Sequence, residues 1–373
     1  MKTPLDRVSL SRRDFIGRIS LGAAAVSLSS RLRAADAVAP KKLGIALAGL
    51  GSYARGQLLP ALKNHTQHCR LAGVVTGSKE KGLQWSKDHG FPEKNIYSYD
   101  TMQQMADNPE IDIVYVATPN ALHAQHSIAA AKAGKHVICE KPMAISVVEC
   151  DAMIAACRAA NVKLSIGYRL HFDPFHQELK RHAREKDFGP FMKITGANGF
   201  NMQRKVWRAD HKLSGGGPLM DMGVYCLHEA CLATDGATPV AVTAREHPKT
   251  RPEIFADVEE GLDWTMEFAN GAKAEFMSSY SRNDGWFRAE AEKDFMAFSP
   301  AFSYNGLKVT TSQGPLNLTP VPSQQAIQMD DFAQCVRDNR QTIVPGELGR
   351  RDMLVVEAIY KAIRTGQRTV VAA

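Results

Sequence analysis

Apolar residues in the first half of the chain form short, nearly continuous runs, separated by longer stretches with helical periodicity. The runs that predict buried strands are 43–48, 71–75, 111–117, 136–139 and 163–166. Helices are predicted between them, through Leu62, from Lys79, over 121–133 and over 147–160. Runs that are apolar on both faces and alternate with helices are typical of a parallel sheet covered on both sides. The pattern therefore predicts a doubly wound α/β fold.

After about residue 170 the pattern changes to alternation of apolar and polar positions. Segments 192–197, 240–245, 261–268 and 272–278 predict antiparallel strands with one solvated face. Helices are predicted over 174–185, from the glycine turn 215–217 to Ala233, and over 324–339 and 351–365. The sequence thus predicts a second, α+β domain over 169–373 with an open, mostly antiparallel sheet. It leaves open whether the C-terminal helices pack back on the first domain.

Composition places the chain among ordinary globular proteins. Apolar residues make up 44% and charged residues 23%, which excludes a disordered chain, a fibrous repeat and a multi-span membrane protein. The net charge of +7 would suit an acidic partner such as nucleic acid, but the first 37 residues alone hold seven basic and three acidic side chains. The remainder carries only a small positive charge, so no nucleic-acid partner is expected.

The basic N-terminus has the order of an export signal. Arg12-Arg13 precede a weakly apolar run over 19–28, and Ala35-Asp36-Ala37 supplies small residues for a signal peptidase. This arrangement resembles a twin-arginine signal, whose pathway carries folded proteins. We therefore expect a signal peptide over 1–37, passage through the twin-arginine translocase, a periplasmic location and no membrane anchor after cleavage.

The seven cysteines include no CxxC pair. Cys226 and Cys231 are five residues apart among apolar neighbours, which favours packed thiols over a disulfide or a metal pair. His, Cys and Asp residues show no zinc-ligand spacing, so no metal is expected.

A glycine motif follows the first predicted strand. Gly49-Leu50-Gly51-Ser52-Tyr53-Ala54 is a GxGxxA sequence that opens a helix. Two glycines at this spacing let the backbone turn tightly and approach a pyrophosphate at the helix N-terminus. The motif lies at the head of a strand–turn–helix–strand series, as a dinucleotide site requires. Residues 41–168 are therefore predicted to form a Rossmann domain, with Ser52 and Tyr53 also at the cofactor.

The end of the second strand bears on the choice of cofactor. An NAD site usually has Asp or Glu there for the ribose 2′-hydroxyl, whereas this chain has Thr76-Gly77-Ser78-Lys79-Glu80-Lys81. Hydroxyls and lysines attract a 2′-phosphate that a carboxylate would repel, so NADP is favoured over NAD. The alternative is that the lysines are solvated and that either cofactor is accepted.

Further motifs follow the later strands. Glu140-Lys141-Pro142 ends one strand, Thr118-Pro119-Asn120 precedes a helix with His123, and Gly167-Tyr168-Arg169 ends another. The series continues with a glycine-rich segment, Gly215-Gly216-Gly217-Pro218-Leu219-Met220-Asp221-Met222-Gly223-Val224-Tyr225. With these motifs the chain resembles the Gfo/Idh/MocA oxidoreductase family, most of all its glucose–fructose oxidoreductase members. The resemblance extends over about 42–366.

The resemblance implies a role for each matching residue. Gly49 and Gly51 would hold the pyrophosphate, and Thr76, Lys81 and Tyr99, with Ser78 beside them, the 2′-phosphate. Residues at the nicotinamide end would be Thr118, Pro119, Asn120, His123, Glu140, Lys141 and Arg169, with Trp207 and Arg208 approaching cofactor and sugar. Lys141, Asp221 and Tyr225 match the catalytic residues, and with Arg169 they would bind the substrate.

The chemistry of this set is coherent. Oxidation of a sugar hydroxyl needs a base for its proton while hydride leaves the carbon. A free tyrosine, with a pKa of about 10, needs a neighbouring cation that favours the phenolate. We therefore expect Tyr225 to be the general acid/base and Lys141 to orient the sugar and favour the phenolate. Asp221 lies one helical turn earlier, on the same face, whereas His228 lies off that face and ranks below Tyr225.

Three functions are compatible with these residues. The first is an exported NADP-dependent sugar oxidoreductase that converts an aldose to the lactone at C1 and passes the hydride to a second sugar, ketose or aldose. The second is a nicotinamide-cofactor-dependent glycoside hydrolase. The third is a non-catalytic NADP-binding sugar sensor, which the presence of Lys141 and Tyr225 disfavours. The resemblance also implies a homo-oligomer, dimer or tetramer, although the segment before the first strand is short.

Overall fold

The computed structural model describes residues 41–372, so the predicted signal peptide 1–37 lies outside the described residues. The first half forms a six-stranded parallel sheet in the order β3-β2-β1-β4-β5-β6. Its strands are β1 Leu43–Ala48, β2 Cys69–Val75, β3 Ile96–Tyr97, β4 Ile113–Val116, β5 His136–Cys139 and β6 Leu164–Ile166. The order reverses beside β1, which creates a crevice at the carboxyl ends of the strands. The predicted Rossmann-type fold is confirmed.

Helices cover this sheet, and local sequence signals fix their ends. They are α1 Leu59–Asn64, which continues a π-helical turn over Ala54–Leu58, α2 Lys79–His89, α3 His123–Lys132 and α4 Val147–Ala159. Ser78 caps α2 by accepting a hydrogen bond from the Lys81 amide, and Gly90 ends the helix in the left-handed conformation. Ser146 caps α4 in the same way through the Glu149 amide.

The second half contains a nine-stranded sheet in which only the β7–β10 pair is parallel among the described strands. Its strands are β7 Lys193–Gly199, β8 Ala241–Glu246, β9 Gly261–Glu267, β10 Lys273–Ser279, β11 Asp284–Glu290, β12 Phe295–Phe298, β13 Val309–Thr311, β14 Gly314–Pro315 and β15 Thr369–Val370. In β9, buried Leu262, Trp264 and Met266 alternate with half-buried neighbours, as expected for one covered face. The predicted open, mostly antiparallel sheet is confirmed.

Helices cover the inner face of this sheet and link it to the first half. They are α5 Pro174–Glu185, α6 His211–Ser214, α7 Val224–Ala233, α8 Gln324–Arg337 and α9 Gly346–Thr365. Met329 and Phe332 of α8 share a buried cluster with Ile45 and Leu47 of β1, so α8 packs on the parallel sheet. α9 contacts both α4 and β8.

All seven cysteines are buried, and their thiols are free. Cys226 and Cys231 lie in the core on α7. Within residues 41–372, no helix has the length and apolar character needed to cross a membrane.

Candidate active site

One cavity of about 1070 Å³ lies at the carboxyl ends of the parallel strands and extends to the start of α7. It brings together every residue that the sequence predicted for the site. These are Gly49, Gly51, Ser52, Tyr53, Thr76, Ser78, Lys81, Tyr99, Thr118, Pro119, Asn120, His123, Glu140, Lys141, Arg169, Trp207, Arg208, Asp221 and Tyr225. The volume suffices for a large organic ligand.

The glycine turn has the geometry that a pyrophosphate needs. Gly49 has φ +95°, and a Cβ there would lie 2.6 Å from the Ala117 carbonyl oxygen, so this position requires glycine. A Cβ at Gly51 would have no heavy atom within 4 Å, so it would project into the open space of the cavity. The backbone at Gly51 is therefore open to a ligand at the N-terminus of the following helix.

The end of β2 presents hydroxyl groups and a lysine. The Thr76 hydroxyl accepts a hydrogen bond from the Ser78 amide at 3.2 Å, and Lys81 lies in the first turn of α2. Tyr99 is stacked on His126 with ring centroids 4.5 Å apart. Glu80 is exposed, and its carboxylate accepts a hydrogen bond from the Ser78 hydroxyl at 3.0 Å outside the cavity lining. This arrangement suits a phosphate near Thr76 and Lys81.

His123 and Asn120 connect the loops around the middle of the cavity. The His123 ring nitrogens lie 2.8 Å from the Pro142 carbonyl and 2.9 Å from the Thr118 carbonyl. Burial lowers the pKa of His123, so the neutral ring can donate to only one of them. Asn120 donates to the Ser214 carbonyl at 2.9 Å. Both side chains therefore hold backbone segments in place at the cavity wall.

Glu140 is buried beside Lys141. The Tyr115 hydroxyl donates to its carboxylate at 2.7 Å, and burial raises the pKa of Glu140. A Cβ on Gly167 would lie 2.8 Å from this carboxyl group, so the glycine after β6 gives Glu140 its space. The result is a fixed acidic group at the base of the Lys141 side chain.

Lys141, Asp221 and Tyr225 converge at one end of the cavity. The Lys141 ammonium donates to the Asp221 main-chain oxygen at 2.8 Å and lies 4.3 Å from the centre of the Tyr225 ring. The same ammonium is 3.7 Å from the Asp221 carboxylate. A lysine cation over an aromatic face is a favourable contact, so the ammonium and the ring fix each other's positions.

The Asp221 carboxylate lies between two cations. Arg208 Nε is 2.8 Å from its other oxygen, which also accepts a hydrogen bond from the Tyr280 hydroxyl at 3.2 Å. Burial alone would raise the pKa of Asp221, but the positive charges of Arg208 and Lys141 outweigh it and hold the pKa below its ordinary value. Asp221 is therefore ionised at neutral pH and fixes both cations.

Arg169 holds a loop of the second half against the site. Its guanidinium donates to the Phe302 carbonyl at 2.5 Å and lies 4.5 Å from the centre of the Tyr304 ring. The ring of Tyr304 is 6.2 Å from that of Tyr53 in the glycine turn. This wall of Phe302, Ser303 and Tyr304 was not predicted from the sequence as part of the site, and neither was Tyr280. Each of the four reaches the site only through tertiary packing.

His228, which ranked below Tyr225 as a base, is outside the cavity lining. Its Nδ1 lies 2.6 Å from the Asp352 carboxylate and its Nε2 lies 2.6 Å from His171 Nε2. The ring also stacks on Tyr168 at 3.8 Å. With both nitrogens engaged in the core, His228 is not placed to take a proton from a ligand in this cavity.

Comparison with known proteins gives matches over most of the chain. Residues 43–168 match the oxidoreductase family with an NAD-binding Rossmann fold named GFO_IDH_MocA, and residues 176–294 match a GFO/IDH/MocA C-terminal domain. A crystal structure of aldose-aldose oxidoreductase from Caulobacter crescentus is 40% identical, with a TM-score of 0.85. It is matched over 100% of its length and over 88% of this chain.

Two curated relatives are also similar over nearly their whole length. D-xylose 1-dehydrogenase [NADP(+)] from Haloarcula marismortui is 27% identical over 86% of this chain and 91% of its own. The 1,5-anhydro-D-fructose reductase of Ensifer adhaerens is 26% identical over 86% of this chain and 96% of its own.

Proposed function

The chain belongs to the Gfo/Idh/MocA oxidoreductase family, and on that premise we propose that it oxidises an aldose at C1 to the lactone with NADP and then passes the hydride to a second sugar. One observation carries the proposal: a lysine, an aspartate and a tyrosine face the same cavity as an open glycine turn. The relatives named above act on sugars or sugar derivatives by name.

NADP fits the residues present. The open backbone at Gly51 would receive the pyrophosphate, and Thr76, Ser78, Lys81 and Tyr99 would receive the adenosine 2′-phosphate. Thr118, Asn120, Glu140 and Lys141 line the other end of the cavity, where the nicotinamide would lie. When bound, NADP supplies a hydride acceptor. The D-xylose dehydrogenase relative carries NADP(+) in its name, which agrees with the choice over NAD.

The protein side chains would handle the proton. Tyr225 Oη accepts the proton of the sugar hydroxyl, and the Lys141 ammonium lies 4.3 Å from the ring centre, where its charge offsets the negative charge that develops in the proton transfer. The Arg169 guanidinium, 5.3 Å from the same ring centre, adds a second cation. Asp221 keeps Lys141 and Arg208 in place. In the return half-reaction Tyr225 gives its proton to the oxygen of the sugar that is reduced.

A titration of the purified mature protein tests the function. Its absorbance spectrum is recorded for bound dinucleotide, and the reduced-nicotinamide band is followed during addition of aldoses and afterwards of ketoses. The proposal predicts that an aldose makes the band appear and that a second sugar removes it. If no aldose produces the band in protein supplied with NADP, the proposal is wrong.

Methyl glycosides separate the alternatives in the same assay. They have no free 1-hydroxyl, so they are inert if oxidation takes place at C1. A glycoside hydrolase of the oxidation–elimination–reduction type would instead release methanol from them with no net change in the band. A sugar sensor would bind aldoses, visible as quenched protein fluorescence, without reducing NADP.

We further propose export through the twin-arginine pathway to the periplasm. Arg12-Arg13, the apolar run 19–28 and Ala35-Asp36-Ala37 support it. An exported enzyme cannot exchange the NADPH that it forms for cytoplasmic NADP+, which is why a second sugar is proposed to take the hydride and reoxidise the cofactor. Replacing both arginines by lysine should leave the protein in the cytoplasm, whereas a periplasmic fraction equal to that of the wild type would refute the route.

We also propose a homo-oligomer, dimer or tetramer, formed through the outer face of the nine-stranded sheet. Ala197, Met277 and Trp286 are paired neighbours on this face, and the Trp286 side chain is 38% exposed. Aromatic residues such as tryptophan are enriched at protein–protein interfaces. Light scattering of Trp286→Glu should show monomers where the wild type shows dimers or tetramers; an unchanged mass would contradict this interface.

A further inference from the structure

The catalytic candidates lie at the start of one helical segment. A π-helical turn, Leu219–Gly223, continues directly into α7, Val224–Ala233. Asp221 belongs to the first turn and Tyr225 to the second, so the positions of both depend on where the segment begins. It begins at the glycine triplet 215–217, after which Pro218 is the first helical residue.

Glu259, in the loop before β9, contacts the backbone where this helical segment begins. Its carboxylate accepts hydrogen bonds from the Gly217 amide at 2.9 Å and the Leu219 amide at 3.2 Å. The Tyr360 hydroxyl of α9 donates to the same carboxylate at 2.9 Å. Glu259 is 5% exposed, and burial raises the pKa of its carboxyl group. A buried carboxylate with three donors is fixed in position.

The glycine triplet allows this contact. A Cβ at Gly216 would overlap the Tyr360 hydroxyl, and a Cβ at Gly217 would lie 2.9 Å from the Glu259 carboxyl carbon. Both glycines therefore let the carboxylate and the tyrosine approach the backbone. The glycine triplet thus has two roles: it turns the chain into the helix, and it leaves space for the Glu259 carboxylate to contact the backbone.

We propose that Glu259 is a positioning residue for the reaction: its carboxylate fixes the first turn of the helix that carries Asp221 and Tyr225. The inference rests on the proposed sugar oxidation. Glu259 lines a separate cavity behind the helix, not the cavity that holds Asp221 and Tyr225, so it does not touch the substrate. It acts by holding the phenol oxygen of Tyr225 in line with the sugar hydroxyl.

The substitution Glu259→Gln tests the proposal with little change of shape. A glutamine oxygen can still accept from one amide, but its NH₂ group then faces the other backbone N–H, which loses its partner. The first turn must shift to relieve this. A displacement of about 1 Å at the reacting atoms costs roughly a hundredfold in rate.

Glu260 offers a matched control from the next position in the chain. It is 3% exposed and likewise accepts from two backbone amides, those of Thr250 at 2.6 Å and Arg251 at 3.0 Å. Its bonds hold the loop at Thr250 and Arg251 instead of the catalytic helix. Both amides donate to the same oxygen, Oε2, while Oε1 lies 3.0 Å from Arg251 Nε. Glu260→Gln therefore removes a buried, amide-bonded negative charge, as Glu259→Gln does, without altering a contact to the turn Leu219–Gly223.

The assay is the single-turnover rate of nicotinamide reduction by an aldose, together with the dissociation constant of NADP. We expect Glu259→Gln to lower the rate at least about tenfold with NADP binding within about twofold of wild type, while Glu260→Gln stays within about threefold in rate. Tyr360→Phe removes one donor and keeps the ring, so it should lower the rate about threefold or more and serves if Glu259→Gln does not fold. Rates of Glu259→Gln or Tyr360→Phe equal to wild type, or an equal loss in Glu260→Gln, would overturn the proposal.

Crystal structures of the two glutamine variants give a readout that does not depend on the reaction. A displacement of Tyr225 in Glu259→Gln, absent in Glu260→Gln, supports the positioning role, and an unmoved Tyr225 in both overturns it. If no aldose tested makes the wild-type protein reduce NADP, the proposed function fails instead. The two variant structures then decide the positioning role of Glu259 without the kinetic assay.

Discussion

Replacement of Asp221 by asparagine removes one negative charge from between two cations. The Asp221 carboxylate lies 2.8 Å from Arg208 Nε and 3.7 Å from the Lys141 ammonium. Asparagine has nearly the same shape and keeps the main-chain oxygen that accepts from Lys141. The substitution therefore tests the charge of the side chain with little effect on packing.

The magnitude follows from these distances. Unit charges about 4 Å apart interact by about 4 kcal/mol at an effective dielectric constant of about 20. The side chains of Asp221 and Lys141 are 15% and 12% exposed, so solvent screening is limited, and breaking a buried pair costs about 3–5 kcal/mol. We expect Asp221→Asn to lower the free energy of unfolding by about 3 kcal/mol and the turnover number by at least about a hundredfold, because the Lys141 and Arg208 cations beside the reacting groups lose the negative charge that offsets them.

Urea unfolding of wild type and variant measures the change in stability, and steady-state kinetics measures the change in turnover. The pH dependence of the stability difference separates the effect of the lost charge from any effect of shape. Because the pKa of Asp221 is lowered in the folded protein, its stabilising contribution is present above about pH 4 and lost as the pH falls further. The stability difference between wild type and Asp221→Asn should therefore shrink below about pH 4. A difference that does not vary with pH, or a variant with at least half the wild-type turnover, would refute the reasoning.

Three other substitutions test separate parts of the site and its support. Lys81→Ala should weaken NADP binding about tenfold or more and leave NAD binding unchanged, because only NADP carries the phosphate; equal loss for both cofactors in a fluorescence titration would contradict this. Tyr304→Ala should raise the KM for the aldose about tenfold with turnover within a few-fold, since the ring forms a wall of the cavity beside Arg169; an unchanged KM counts against it. Asp352→Asn should destabilise the fold by about 3 kcal/mol in urea and leave turnover within twofold, because Asp352 pairs with His228, Tyr168 and Arg351 away from the cavity. A large loss of turnover in this variant would return His228 to consideration as a base.

The first sheet and the motifs of the site could be predicted because their signals are local. The run 43–48 and the residues 136–139 coincide with β1 and β5, since strands buried on both faces must be apolar throughout. The glycines at 49 and 51 and the sequence Glu140-Lys141-Pro142 lie directly after strands, at the sheet edge where ligands bind. Local sequence therefore indicated the fold class and the part of the cavity lining that lies directly after the strands.

The remaining parts depend on contacts between distant segments. β3 has two residues and β14 has two, too few for any periodicity to be visible. β11 begins with Asp284-Gly285, a pair more typical of a turn. Glu259 and Tyr360 are 101 residues apart and meet only at the glycine triplet. Tyr304 likewise reaches Arg169 across 135 positions of sequence, so no pattern around Tyr304 indicates its place in the site.

The most direct measurement of the central claim compares wild type with Tyr225→Phe in the aldose half-reaction. Both proteins are loaded with NADP, and the reduced-nicotinamide band is followed after one addition of aldose. Wild type should form the band, and Tyr225→Phe should bind NADP equally well but form it at least about a hundredfold more slowly, because the proton acceptor is gone while the ring remains. Reduction by Tyr225→Phe at a rate within a few-fold of wild type would contradict the assignment of Tyr225 as the acid/base.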